Sequence, residues 1–146
     1  MASSRAKLLR SIFFQGFRTP DWRHDQPPPV VSVQEFFVDN TDNSSIAINL
    51  IDHPGIQFFH DAIAAIEARA DVQAVLVNIY DLDPIIDGGW PYAENVHILT
   101  SASEDEVQQW AAYLRSDGAM EGWPYGVPNA ARKAEPGQKW WSLSWD

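Results

Sequence analysis

Tryptophan and its neighbours place the strongest constraint on how this chain can fold. Six of the seven tryptophans lie between Trp90 and Trp145, and two of them occur in the identical tetrapeptides Gly89–Tyr92 and Gly122–Tyr125. Proline fixes its own φ and pushes the preceding residue toward extended geometry, while the indole supplies a large contact area with one polar N–H. The flanks of the two motifs differ, which argues against a repeat protein. We interpret the motifs as two rigid corner anchors that could face each other.

The size and composition of the chain fit one globular domain. Its 146 residues are enough to bury a core of their own. The sequence contains no cysteine, which excludes disulfides, thiolate zinc sites and thiol catalysis, and predicts a cytoplasmic protein. Apolar runs are only a few residues long, so the sequence predicts no membrane-spanning segment.

Acidic residues dominate the body of the chain. The net charge is −10, and between residues 24 and 131 seventeen Asp and Glu face only two Arg, a balance of −15. Such a field disfavours nucleic acid and accelerates the encounter with a basic protein. The alternative interpretation is that the negative charge serves only to keep the protein soluble. We therefore predict no nucleic-acid or membrane partner and name a basic protein as the candidate partner, with monomer and homodimer both open.

The N-terminal segment has the opposite charge. Residues 1–23 combine Arg and Lys with apolar residues at the spacing of a short amphipathic helix, and a proline-rich spacer follows at 25–29. A helix packed on the acidic domain and an organellar transit peptide both fit this pattern. The predicted organisation is a basic segment with its spacer over 1–29, followed by an acidic domain over 30–146.

Hydrophobic periodicity predicts an α+β fold. Five segments alternate or are rich in β-branched residues and are predicted strands: 30–39, 46–51, 72–82, 96–100 and 139–145. The first two are expected to form a hairpin around the turn-forming residues 40–44. Helices are predicted over 55–69 and from the capping box Ser103–Glu106 to Gly118. The order ββαββαβ predicts a single domain with one mostly antiparallel sheet of about five strands and two helices packed on it.

Motifs for catalysis, metals and cofactors are absent from the sequence. It has no Gly-x-Ser-x-Gly and no phosphate-binding glycine loop. Proline and isoleucine interrupt the series of carboxylates formed by Asp81, Asp83 and Asp87, which differs from the ligand pattern of a calcium loop. His97 is expected to be a packed cross-strand residue rather than a general base. We predict no catalytic residue, no metal and no cofactor, and an enzyme is the less favoured class.

Aromatic and acidic residues are the remaining candidates for binding. Each of them has either a large aromatic ring or a carboxylate and lies near the tryptophan motifs: Trp90, Tyr92, Trp123, Tyr125, Trp141, Asp81, Asp83 and Asp87. Trp140 and Trp141 must point to opposite faces of a strand, so a single covering layer would bury only one of them. The first hypothesis is a non-enzymatic interaction domain of the immunity or antitoxin kind, because rigid rings contribute affinity and charge selects a basic partner. The second is a small-ligand protein or enzyme with a pocket between loops 81–94 and 123–136, lined by Trp90, Tyr92 and Trp123.

Several of these segments together resemble a known family. The pattern comprises Gly89–Tyr92, Ser101–Val107, Glu121–Gly126 and Ser142–Asp146. It is similar to a family of small uncharacterised bacterial proteins. The resemblance implies a bacterial origin, and it supplies neither an activity nor catalytic residues.

Overall fold

A computed structural model describes residues 3–17 and 27–145. It contains one sheet of five strands in the order β1-β2-β3-β5-β4, with every neighbouring pair antiparallel. The strands are β1 (Val30–Ser32), β2 (Val72–Asp81), β3 (Tyr92–Thr100), β4 (Ala119–Glu121) and β5 (Lys139–Ser144). The helices are α1 (Ser4–Phe14), α2 (Val33–Phe37), α3 (Ile56–Glu67) and α4 (Glu104–Tyr113). The predicted α+β class with one five-stranded antiparallel sheet is confirmed.

The two strongest helix signals in the sequence are confirmed. Helix α3 buries Ile56, Phe59, Ile63 and Ile66, which recur at helical spacing. Helix α4 begins after Ser103, whose hydroxyl accepts a hydrogen bond from the Glu106 N–H. That bond satisfies one of the free amides of the first turn. Local capping and periodicity placed α3 within two residues and the start of α4 at its cap, whereas α4 ends at Tyr113, before the predicted stop at Gly118.

The long first strand predicted over 30–39 is wrong, because the chain leaves the sheet after Ser32. The Ser32 hydroxyl accepts from the Glu35 N–H, and the Glu35 carboxylate accepts from the Ser32 N–H, each at 3.0 Å. This reciprocal capping box starts helix α2 within a run of Val and Phe that otherwise reads as a strand. The local hydrogen bonds outweigh the β propensity of the apolar residues.

The strand predicted over 46–51 and its hairpin are also wrong. Ile46 makes only an isolated bridge with Ala93, and Ala47 and Asp52 have positive φ values of 55° and 56°. Such angles cannot continue a strand. The fifth strand is instead β4, so the elements follow the order αβααββαββ rather than ββαββαβ. The sheet has the predicted number of strands, but β4 takes the place of the strand predicted over 46–51.

The loop predicted over 81–94 is shorter than expected. Strand β3 begins at Tyr92, four residues before the predicted start at Val96, and a 3₁₀ turn occupies Asp83–Asp87. Trp90 and Pro91 therefore stand directly before the strand. The proline fits there because its missing N–H removes no hydrogen bond from the ladder.

Helices cover one face of the sheet, which we call the helical face. Alternate residues of the central strands point to it and form one core with the helices: Val75, Val77, Ile79, Val96, Ile98, Trp141 and Leu143. Helix α1 contributes Leu8 and Ile12 to this core, and the Arg5 guanidinium donates to the carbonyls of Ile85 and Gly89. The described part of the basic segment is thus a helix packed on the domain. Residues 18–26, which include the end of that segment and the start of its spacer, lie outside the described residues. The division of the chain at residue 29 stays a prediction.

Irregular chain covers the opposite face, which we call the coil face. Residues 122–138, named here the cover segment, lie between β4 and β5 and carry Trp123 onto this face. Trp140 and Trp141 are both buried. The expectation that only one of them would be buried assumed a single covering layer, and it fails because this sheet is covered on both sides. None of the described helices combines the length and the apolar character needed to cross a membrane.

Candidate functional site

The buried tryptophans among the predicted binding residues are parts of the core. The Trp90 indole N–H donates to the Phe36 carbonyl at 2.9 Å, and its ring packs in the core of the helical face. Trp141 is buried in the same core. Neither ring offers a surface to a partner.

The two tryptophan-proline motifs do not face each other. Trp90 lies on the helical face, whereas Trp123 lies on the coil face and stacks on His97 with ring centroids 4.0 Å apart. Tyr92 lies opposite Asp81 at the ends of β3 and β2 and lines a pocket of about 200 Å³ beside Trp145. The sheet separates Trp90 from Trp123, so the hypothesised pocket lined by Trp90, Tyr92 and Trp123 is not formed.

The other predicted candidates lie at the surface and do not meet in one site. Tyr125 is exposed on the cover segment, and Asp83 and Asp87 are exposed in the 3₁₀ turn. Asp81 accepts a hydrogen bond from the Asp83 N–H at 2.9 Å, as is common at a turn. Within residues 3–17 and 27–145, no three His, Asp or Glu side chains converge in a way that would hold a metal ion.

An aromatic groove lies between helices α3 and α4 on the helical side. This α3–α4 groove has a volume of about 440 Å³ and contains three rings, those of Phe58, Trp110 and Tyr113. The Phe58 and Tyr113 rings are 5.3 Å apart between centroids. The remaining lining residues are Asp61, Ala62, Ala65, Ile66 and Arg69.

The sequence of helix α3 explains why the groove is apolar. One stripe of the helix, including Phe59 and Ile63, is buried against the sheet. A second stripe of Phe58, Ala62 and Ala65 is also apolar at helical spacing and lines the groove. Helix α4 supplies the opposite wall. A helix that is apolar over more than one stripe presents the second stripe for contact.

The rim of the groove has more negative than positive charge. The Arg69 guanidinium lies over the Trp110 ring at 4.8 Å and bonds Asp71 at 2.9 Å and Glu106 at 3.0 Å. The hydrogen bond from Arg69 is the main cause that lowers the pKa of Asp71. Two carboxylates therefore neutralise the only cation in the groove lining, and Asp61 adds a further negative charge.

The coil face contains a second unusual feature, a set of buried polar side chains beneath Trp123. His97 lies directly opposite Ser142 in the sheet, and Asn95 is two residues away on β3. The exposed fractions of Asn95, His97 and Ser142 are 2%, 1% and 3%. Within residues 3–17 and 27–145, no hydrogen-bond partner is present for Asn95 Nδ2, Ser142 Oγ, both His97 ring nitrogens and Trp123 Nε1. We call Asn95, His97 and Ser142 the polar array.

Burial keeps His97 neutral. Removal from solvent lowers the pKa of its imidazole to about 3, because a charged ring would be poorly solvated there. At neutral pH the ring therefore has one N–H donor and one acceptor nitrogen. The interpretation of His97 as a packed cross-strand residue is confirmed.

Most residues of the two features were not predicted from the sequence. Trp110 and the second stripe of α3, beginning at Phe58, were not among the candidate binding residues. A helical plot of 56–67 would have shown two apolar stripes. The alternation of Asn95 and His97 with Val96 and Ile98 was a signal for a polar face on the central strand.

The chain is similar to proteins of one described family. A family model described as "Uncharacterized protein YfbO family" matches residues 10–143. A protein of Escherichia coli (strain K12) named "Uncharacterized protein YfbO" is 36% identical over 100 residues, which cover 68% of this chain and 69% of that protein. No solved structure matches the chain. These matches confirm the resemblance to a small uncharacterised bacterial family.

Proposed function

We propose that this chain, which belongs to the YfbO family, is an acidic interaction protein that binds a basic amphipathic segment of a partner protein in the α3–α4 groove. The observation that carries the proposal is the set of three rings, Phe58, Trp110 and Tyr113, that line one groove. An immunity or antitoxin-like protein that covers a basic surface is one example of such a role. The cysteine-free composition supports a cytoplasmic location.

Exposed aromatic area supports a protein partner. The side chain of Tyr113 is 66% exposed, and its ring contacts Phe58, which is half-buried. Trp and Tyr contribute a large share of the binding energy in protein interfaces, because a rigid ring loses little conformational entropy when it is buried. An apolar segment of a partner that entered the groove would cover all three rings.

Charge supports a partner segment with Lys or Arg beside its apolar residues. The first turn of α4 contains Glu104, Asp105 and Glu106, and Asp61 lies on the facing helix. The only lining cation, Arg69, is already paired with two carboxylates. A basic segment would therefore meet an acidic rim around an apolar floor, and its approach would be accelerated at low salt.

Site-specific photocrosslinking in the bacterial host tests the proposal. A photoreactive phenylalanine analogue at Tyr113 is compared with the same analogue at Ile86, which is 72% exposed on the 3₁₀ turn away from the groove. We expect a crosslink to a basic segment of one protein from position 113 and none from position 86. The crosslink should weaken as salt is raised, because salt screens exposed charges.

A matched pair of variants separates the groove from general acidity. Asp61→Asn with Tyr113→Ser removes charge and ring at the groove, and Asp83→Asn with Ile86→Ser makes the same type of change at the 3₁₀ turn. Only the first pair should abolish the crosslink formed by an analogue placed at Ala65. Equal crosslinking from positions 113 and 86, or a captured segment that is acidic, would refute the proposal.

A further inference from the structure

We propose that the coil face of the sheet is a ligand site for a small, uncharged, planar ring, which binds the polar array when Trp123 moves away from His97. Nothing in the proposed function requires this site, since the α3–α4 groove lies on the other side of the sheet.

Unpartnered buried polar atoms are concentrated on the coil face. Among the described residues, four of the six belong to the polar array and a fifth is the indole nitrogen of Trp123, while the sixth, Trp141 Nε1, lies on the helical face. An unsatisfied buried donor or acceptor costs about 1–3 kcal/mol, so native proteins rarely keep several together without a partner. On the helical face the indoles of Trp90 and Trp145 do donate, to Phe36 and Leu114. The coil face is thus specifically provided with groups that can bind a polar molecule.

The available groups define a ligand with both donors and acceptors. Asn95 Nδ2 is a donor, Ser142 can donate or accept, and the neutral ring of His97 offers one donor and one acceptor. The register places only uncharged residues of the three central strands on this face: Ala74, Leu76, Asn78, Asn95, His97, Leu99, Trp140, Ser142 and Ser144. A charged ligand would lose its solvation here without an opposite charge to compensate it. The chemistry therefore favours an uncharged molecule.

The position of Trp123 shows the shape that fits. Its indole stacks on His97 at 4.0 Å with an angle of 26° between the planes, and its centroid lies 4.8 Å from that of Trp140. The indole thus occupies a slot between two aromatic neighbours while its own N–H is unpaired. A planar ring in the same slot would keep the stacking and add hydrogen bonds that an indole cannot make to the polar array.

The cover segment is attached in a way that lets Trp123 move. Gly122 and Gly137 have positive φ values of 92° and 85°, which glycine adopts at no steric cost. The recorded hydrogen bonds that tie the segment to the sheet lie at Gly122, whose N–H donates to the Trp140 carbonyl, and at Arg132. The Gly126 N–H bonds the Trp123 carbonyl, so the hydrogen bond that closes this turn lies within it and can be kept when Trp123 moves.

Nuclear magnetic resonance titration of the full chain with defined probes tests the site. Nicotinamide, uracil and adenine are the uncharged planar probes, nicotinate is the charged match of nicotinamide, and cyclohexanecarboxamide is its non-planar match. We expect saturable shifts of the His97 ring nitrogens and the Trp123 indole N–H with at least one planar probe. We expect none with the two matched controls at the same concentration.

Variants of the cover and of the array give opposite expected changes. Trp123→Ala removes the ring that competes for the slot and should tighten probe binding about tenfold to a thousandfold, the factor for a binding-competent state populated at about 0.1–10%. Asn95→Ala with Ser142→Ala leaves the cover intact and should weaken binding about fivefold to a hundredfold, the loss of two hydrogen bonds. Ser45→Ala, a buried serine on the helical side, is the matched control and should leave probe affinity unchanged.

Three results would overturn the proposal. The first is that none of the planar probes shifts the His97 and Trp123 signals. The second is that nicotinate or cyclohexanecarboxamide binds as well as nicotinamide, which contradicts the chemistry inferred for the ligand. The third is that the double variant of the polar array binds like the wild type. If Trp123→Ala does not fold, the double variant with its intact cover still decides.

Discussion

The two faces of the sheet solve the same problem of burial in different ways. The helical face excludes water with interlocking apolar side chains, and the N–H groups of its buried Trp90 and Trp145 have partners, whereas that of Trp141 has none among the described residues. The coil face is equally closed in its centre, yet polar atoms lie there without partners. Stability explains the first arrangement, and it does not explain the second.

This difference separates residues that specify the fold from residues available for function. Strand β3 belongs to both sets, because Val96 and Ile98 point into the helical core while Asn95 and His97 point the other way. A single strand thus contributes to stability through one set of side chains and presents chemistry through the other.

Large-to-small substitutions should give the largest contrast between the faces. Phe59 is fully buried between α3 and the sheet, and Phe59→Ala should lower the free energy of unfolding by about 3–5 kcal/mol. Trp123 is only partly buried, so Trp123→Ala should cost about 1–2 kcal/mol despite the larger ring. Urea unfolding followed by circular dichroism measures both. Equal losses would mean that the cover segment contributes to stability as much as a helix does.

Acid should weaken the fold through His97. Burial lowers the pKa of His97 to about 3, while the unfolded chain takes up the proton near 6.5. As the pH falls below 6.5, the unfolded state binds a proton that the folded state does not, so this part of the stability is present above pH 6.5 and declines below it. The slope is about 1.4 kcal/mol per pH unit, or about 2 kcal/mol between pH 6.5 and pH 5.

The comparison of wild type with His97→Leu isolates this effect. Carboxylate contributions are common to both proteins and cancel in the difference between their unfolding free energies. That difference should shift in favour of His97→Leu as the pH is lowered from 7 toward 5. A difference that does not vary with pH would show that His97 is accessible to protons in the folded state.

Substitution of two buried serines by alanine should give the smallest contrast between the faces. The two changes in the free energy of unfolding are expected to have opposite signs. Ser45 accepts a hydrogen bond from Asn40 Nδ2 at 2.9 Å, and Ser45→Ala should cost about 1 kcal/mol. Ser142 has no partner for its hydroxyl, so Ser142→Ala should be neutral or slightly stabilising in the unliganded protein. Thermal unfolding of both variants under one condition provides the test. A destabilised Ser142→Ala would indicate that its hydroxyl has a partner in solution.

The fold was predictable wherever local chemistry and periodicity agree. Helix α4 follows from the Ser103 cap, and β2 follows from its β-branched run. Prediction failed where the two signals conflict, as at Ser32, where a capping box interrupts a strand-like sequence. It also failed at residues 46–51, because their alternation resembles a strand while Ala47 and Asp52 adopt positive φ. No local pattern indicates those angles.

The candidate sites were less predictable than the fold, for a different reason. The sequence concentrates tryptophan near the C-terminus, yet burial decides which rings are available, and burial depends on long-range packing. Trp90 and Trp141 were selected for their residue type and are buried in the core. Trp110 and the polar array gained significance only from the neighbours that the sheet and helices bring to them.

The short outer strands restrict how any partner can attach. β1 and β4 are the edges of the sheet, and each contains only three residues. Because α2 diverts the chain after Ser32, little unpaired backbone remains at that edge to template another strand. The short edge strands disfavour recognition by β-augmentation, in which a partner adds a strand to the sheet. They disfavour uncontrolled edge-to-edge aggregation for the same reason. A partner of this protein must therefore be selected by side-chain surfaces rather than by extension of the sheet.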